Sequence, residues 1–183
     1  GLAHEFDSNK NPGADPTLLN TSNTKYWWIC SLNHSYQSST SHRGRGQGCP
    51  YCANSQVLIG FNDIEAVSPE VAAELNVSAS GMEPSDLMAG SERRVTWTCK
   101  KCTSNWRATP YSRIRRGTGC PVCANLAVVT GTNDLATTHP AIARMWDPVK
   151  NDPGSSARLV VKGSNKKYFW LCPKSHSFTS SPN

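Results

Sequence analysis

Cys99-Lys100-Lys101-Cys102, followed 17 residues later by Cys120-Pro121-Val122-Cys123, is the stretch from which the fold can be read. Each C-x-x-C turn can present two thiolates to one side of a metal. Two such pairs supply the four soft donors that tetrahedral zinc requires. Between the pairs lie Trp106 and a run of arginines, and Gly119 leads into the second pair.

Working outward, the rest of the chain repeats this unit at a period of about 70 residues. Upstream, Ser22-Asn23-Thr24-Lys25-Tyr26-Trp27-Trp28-Ile29-Cys30 matches Ser91–Cys99, and Gly48-Cys49-Pro50-Tyr51-Cys52 matches Gly119–Cys123. Downstream, Ser164-Asn165-Lys166-Lys167-Tyr168-Phe169-Trp170-Leu171-Cys172 is a third version. Leu2-Ala3-His4-Glu5-Phe6, Val71-Ala72-Ala73-Glu74-Leu75 and Ile142-Ala143-Arg144-Met145-Trp146 align as well. The pattern predicts three units, 1–61, 62–132 and 133–183. The first lacks the segment before its helix and the third stops before a Cys-Pro-x-Cys, as expected of a piece of a longer array.

Each unit predicts the same small α+β module. A short helix opens at Pro69 or Pro140, and a polar loop follows at Lys10–Thr17, Ser78–Asp86 or Lys150–Ser156. An alternating aromatic strand then runs into the first ligand, over Tyr26–Cys30, Val95–Cys99 or Tyr168–Cys172. A second strand carrying Tyr36, Trp106 or Phe178 completes a hairpin. A Gly/Arg loop leads to Cys-Pro-x-Cys and a short helix expected near Ala53 and Ala124.

The spacing nominates two complete metal sites, Cys30/His34/Cys49/Cys52 and Cys99/Cys102/Cys120/Cys123. Cys172 and His176 form half of a third. Eight cysteines are also an even number, which a disulfide framework would need. Cys30 and Cys172, however, each have a histidine four residues on in place of a cysteine mate. Imidazole substitutes for thiolate on zinc but not in a disulfide, so metal is expected, with a reducing intracellular setting. His42 is a rival ligand that reads better as a loop residue. Small modules need such a metal because their cores are too small to hold them folded.

Four protein ligands leave no open coordination position, and the chain has no H-E-x-x-H, Walker loop or G-x-S-x-G. Catalysis is therefore not expected, including a nuclease with His42 as general base, and neither is a small-molecule substrate. No run of 18 apolar residues exists, so no membrane span is expected.

Net charge is +6 and the pI about 9.0, which favours an anionic partner. From Arg93 to Cys123 there are eight basic residues and no acidic one. Arg43, Arg45, Lys100, Lys101, Arg113, Arg115 and Arg116 are the candidate phosphate contacts, beside helix-end amides. Trp28, Trp97 and Trp170 read as the small cores, and Tyr26, Tyr111 and Phe169 as exposed stacking surfaces.

Trp27-Trp28-Ile29-Cys30, Cys172-Pro173-Lys174-Ser175-His176 and the two Gly-Cys-Pro-x-Cys closes resemble the probable zinc-ribbon repeats, a treble-clef-like zinc family. Unit two departs from the pattern with Thr103-Ser104 where the family often has Gly-His, although Cys102 supplies a ligand there. Members resemble either repeat proteins of protist mitochondrial ribosomes or bacterial and phage proteins linked to nucleases. The resemblance implies a tandem zinc-finger protein that binds structured RNA, ribosomal RNA above all, beside neighbouring ribosomal proteins in the mitochondrial matrix. A DNA-binding module of a nuclease-associated protein and a protein-interaction scaffold are the alternatives.

Overall fold

A computed structural model describes residues 2–183, which divide into two compact bodies, 2–73 with Met82–Ser91, and Glu74–Gly81 with Glu92–Asn183.

In the first body a 3-10 turn at Leu2–Glu5 precedes an antiparallel hairpin of β1 (Lys25–Ile29) and β2 (Ser35–Ser39). The register sets Trp28 opposite Tyr36. Alternation puts both on one face of the hairpin, where they are buried with Phe6 and Cys49. Phe6 meets Trp28 edge-on at 5.5 Å between ring centroids, and the indole N–H of Trp28 donates to the Ser38 carbonyl. Helix α1 (Thr40–Gly44) leaves β2 directly, its Ser39 hydroxyl accepting from the His42 amide as an N-cap.

Further helical turns follow in this body, α2 (Ile64–Val67), α3 (Pro69–Ala72) and a 3-10 turn at Pro84–Asp86. Asp63 caps α2 by accepting from the Ala66 amide, and Pro69 opens α3, as the sequence predicts. Ile64 is wholly buried, and its amide donates to the Leu87 carbonyl at 2.8 Å.

The second body begins with α4 (Val77–Ser80), capped by Asn76 and ended by Gly81 at φ 64°, a left-handed conformation that glycine adopts without strain. A helical turn thus stands where a plain polar loop was expected. Strands β3 (Val95–Thr98) and β4 (Asn105–Ala108) pair with Trp97 opposite Trp106. Helix α5 (Pro110–Ile114) follows, with the Thr109 hydroxyl as its N-cap. The arginine segments expected as loops therefore start as helical turns in both units.

The same body continues through α6 (Leu135–Thr138) and α7 (Pro140–Ala143) to the hairpin of β5 (Tyr168–Leu171) and β6 (Ser177–Ser180). Leu135, Ala157 and Trp170 form its core. Trp28, Trp97 and Trp170 are all buried, the small-core role expected of them. Among the described residues no helix is long and apolar enough to cross a membrane.

The helices expected near Ala53 and Ala124 do not form. Each Cys-Pro-x-Cys makes a single turn, with Ala53 donating to the Cys49 carbonyl and Ala124 to that of Cys120. The chain then passes through Asn54 at φ 51° and Asn125 at φ 54°, a left-handed conformation that stops helical propagation.

Candidate metal centres and the basic surface

Hairpin geometry brings each ligand set together. At the tip of the first hairpin the Cys30 amide donates to the His34 carbonyl, and Asn33 takes the left-handed turn at φ 60°. This turn points Cys30 and His34 the same way. The single turn at Cys49–Cys52 supplies the other two ligands. The His34 ring is held edge-on against Phe61 at 4.2 Å between centroids.

In the second centre the Cys99 amide donates to the Ser104 carbonyl around Thr103 at φ 56°. Ser104 thus occupies the position that His34 holds in the first hairpin. The extra residue in this turn lets Cys102 provide the ligand instead.

In both groups the four candidate ligand atoms lie within 4.8 Å of one another. The sulfurs of Cys99 and Cys123, and of Cys102 and Cys120, are 3.6 Å apart, and those of Cys30 and Cys52 3.7 Å apart. His34 Nδ1 is 3.3 Å from Cys52 Sγ and 3.7 Å from Cys49 Sγ. A tetrahedron with metal–sulfur bonds of about 2.3 Å has edges of about 3.8 Å, so the donor atoms already stand at the corners that zinc needs. All eight cysteines are free of disulfide bonds.

Electrostatics point the same way. Hydrogen bonds from the Ser104 hydroxyl and amide hold the Cys102 thiol down at about 6. Its neighbour Cys123 is pushed up to about 12, chiefly by sharing its proton with Cys102 and Cys99. Four thiolates this close ionise together only around a cation.

Cys172 and His176 sit on the matching third hairpin turn, with the Cys172 amide donating to the His176 carbonyl. No group of three or more ligand side chains includes them among the described residues. His42 is exposed on α1, outside both groups.

The basic residues separate into two classes. Arg43 and Arg113, expected to meet phosphate, are turned inward, with side-chain exposures of 4% and 7%. Arg43 pairs with Glu5 and donates to the Gln47 carbonyl, its guanidinium 5.2 Å from the Trp28 ring and 5.8 Å from that of Tyr36. Arg113 pairs with Glu74 and donates to the Thr118 carbonyl, over Trp97 at 5.3 Å and Trp106 at 5.0 Å. These arginines tie the helix after each hairpin to the start of its unit, leaving no donor fork for a partner.

Arg45, Lys100, Lys101, Arg115 and Arg116 are exposed, with Arg116 laid over the Tyr111 ring at 5.1 Å. No helix-end amides stand beside them in the absence of helices at Ala53 and Ala124. Tyr26 is half-buried against Phe6 at 5.8 Å, which removes it from the expected stacking surface, whereas Phe169 is exposed.

Sequence reasoning missed the partners Glu5 and Glu74. The signal was present: each stands in the aligned Leu-Ala-x-Glu position, 38 or 39 residues before its arginine.

A family model described as a probable treble clef zinc finger domain matches residues 2–55 and, a second time, residues 71–126. No curated protein matches the chain.

Proposed function

The chain belongs to the probable treble clef zinc finger family, and from that premise we propose that it is a non-enzymatic RNA-binding repeat protein whose two complete sites hold structural Zn2+. The family resemblance favours a component or assembly factor of a mitochondrial ribosome, working in the matrix beside other ribosomal proteins.

The observation that carries this reading is the sorting of the arginines. Two are committed to internal carboxylates, yet Lys100, Lys101, Arg115 and Arg116 remain exposed around the second centre, in a stretch of 31 residues with no acidic side chain. Exposed cations in a stretch of chain without carboxylates suit a phosphate backbone. Structured RNA is read largely through its shape and backbone, for which a small rigid module with basic turns is suited. Closed four-ligand centres hold such a module rigid and leave no place for an activated water.

The test is a competition titration of the zinc-loaded chain between a structured RNA and duplex DNA at several salt concentrations. RNA preference with a steep salt slope, reduced in the Arg115→Gln/Arg116→Gln variant, supports the reading. DNA preference would transfer it to a DNA-binding module. No salt-sensitive binding to either would leave a protein scaffold.

A further inference from the structure

The middle unit carries a cleft that its neighbours close. In all three units one segment after the opening helix runs beside the first strand, and the same hydrogen bonds fix its register. The amides of Asp7, Asn76 and Asp147 donate to the carbonyls of Trp27, Thr96 and Phe169. Four residues further on, Asn11, Ser80 and Asn151 each bond through their side chains to the N–H and C=O of that same strand residue.

Within this shared frame the outer face differs. In the first unit Lys10 Nζ lies 4.5 Å from the Trp27 ring centroid, and in the third Lys150 Nζ lies 6.0 Å from that of Phe169. A cation thus covers an aromatic ring in each. The buried carboxylates of Asp7 and Asp147 lie at the base of this frame. In the middle unit the lysine is Ala79, the ring is Thr96 and the aspartate is Asn76. The cover, the ring and the negative charge are all gone.

An open cleft of roughly 600 Å3 takes their place, lined by Ala79, Ser80, Arg93, Arg94, Thr96 and Arg107 among others. No carboxylate lines it among the described residues. Arg107 stands across from Thr96 in the hairpin, where the other units have Gln37 and Thr179. Its guanidinium donates to the Arg94 carbonyl at 3.3 Å, a single bond that aims the side chain and leaves further N–H groups unused. Arg94 and Arg107 are both exposed.

We propose that this cleft is a phosphate site, in which Arg94 and Arg107 grip one phosphate group with the Thr96 hydroxyl at its floor. Two guanidinium forks and one hydroxyl supply donors to the oxygens of a phosphate, and the loss of the underlying carboxylate removes the charge that would repel it. The favoured source is a backbone phosphate of RNA, which rests on the functional reading above; free phosphate is the other. The middle unit then sets the register of the nucleic acid, a role its neighbours lack the residues to share.

The experiment has two arms on the zinc-loaded full chain. In the first, inorganic phosphate is titrated while the guanidinium Nε–H resonances are followed. Arg94 and Arg107 should shift and the buried Arg113 should not. In the second, a structured RNA is titrated at several salt concentrations against wild type, Arg94→Gln/Arg107→Gln, and Ala79→Lys/Thr96→Trp. The last variant rebuilds the cover of the first unit while keeping both arginines. The log–log salt slope falls by about 1 for each phosphate no longer neutralised, so the arginine variant, which loses the one gripped phosphate, should lose about 1. The covered variant should weaken RNA binding with both arginines in place. Phosphate-induced shifts at both arginines without RNA binding would support the site and sink the RNA reading alone. Unmoved resonances, or RNA binding that both variants leave unchanged, would overturn the site.

Discussion

Glu74 and Arg113 form an ion pair across 39 residues of chain, with the guanidinium held against the faces of Trp97 and Trp106. Glu5 and Arg43 repeat the arrangement against Trp28 and Tyr36. Such a pair is costly to break singly when the buried member is left charged, and here that is Arg113, since Glu74 keeps a side-chain exposure of 19%. Glu74→Met should destabilise the zinc-loaded protein by about 3–5 kcal/mol and Arg113→Met by less, and the double variant should recover most of the larger loss. Urea unfolding of the three variants measures the coupling. Additive losses would mean that the two side chains do not act as a pair.

Metal content follows from the two ligand groups. The purified chain should hold two zinc ions. Cys123→Ser should hold one, and Cys172→Ser should still hold two, by elemental analysis after dialysis.

Proton release is a second signature of the same centres. In the metal-free protein Cys102, at about 6, has lost its proton near pH 7, whereas Cys123, at about 12, keeps its own. Zinc requires both as thiolates, so loading releases the Cys123 proton, and affinity rises with pH from about 6, where Cys102 is already ionising, towards about 12. Chelator competition at several pH values checks the sign. Affinity independent of pH would contradict it.

Thr103 is strained where its counterpart is not. It holds φ 56°, in the position that Asn33 holds at φ 60° in the first hairpin. Asparagine tolerates that region and β-branched threonine does not. Thr103→Asn should raise the unfolding free energy by about 0.5–1 kcal/mol, while Asn33→Thr should lower it. Thermal melts of the zinc-loaded proteins decide.

Asn62 is a buried hydrogen-bonding hub. Its side chain accepts from the Leu58 amide and donates to the carbonyls of Tyr51 and Gln56. With each bond contributing about 1 kcal/mol, Asn62→Ala should cost about 3 kcal/mol by urea unfolding. A loss below about 1 kcal/mol would show that water replaces the amide without penalty.

Much of this was legible in the residues. Ligand spacing identified both four-ligand groups, and the period-2 aromatics located all three hairpins. What escaped depends on long-range pairing. Arg43 and Arg113 look the same in sequence as Arg45 and Arg115, and the aligned Glu5 and Glu74 offer a partner without saying which arginine takes it; the folded hairpin does. The helices expected after Cys-Pro-x-Cys failed for a local reason, since Asn54 and Asn125 adopt left-handed geometry that their identity permits but does not require. The α4 turn escaped because Asn76 reads as a sequence neighbour of the polar loop, although it caps a helix.

The hub at Asn62 has a consequence for how such chains can be cut and recombined. Its side chain secures the turn that follows one cysteine pair, while the very next residue, Asp63, starts the helix of the following unit. Asn133 and Asp134 do the same at the next junction. An excised module ending at residue 61 would leave the Gln56 carbonyl without the Asn62 amide and the Tyr51 carbonyl with the Asn54 amide alone. The smallest transferable segment therefore borrows two residues from its successor. Both junctions carry the same pair with the same hydrogen bonds, so a boundary drawn after Asp63 or Asp134 keeps the joint whole.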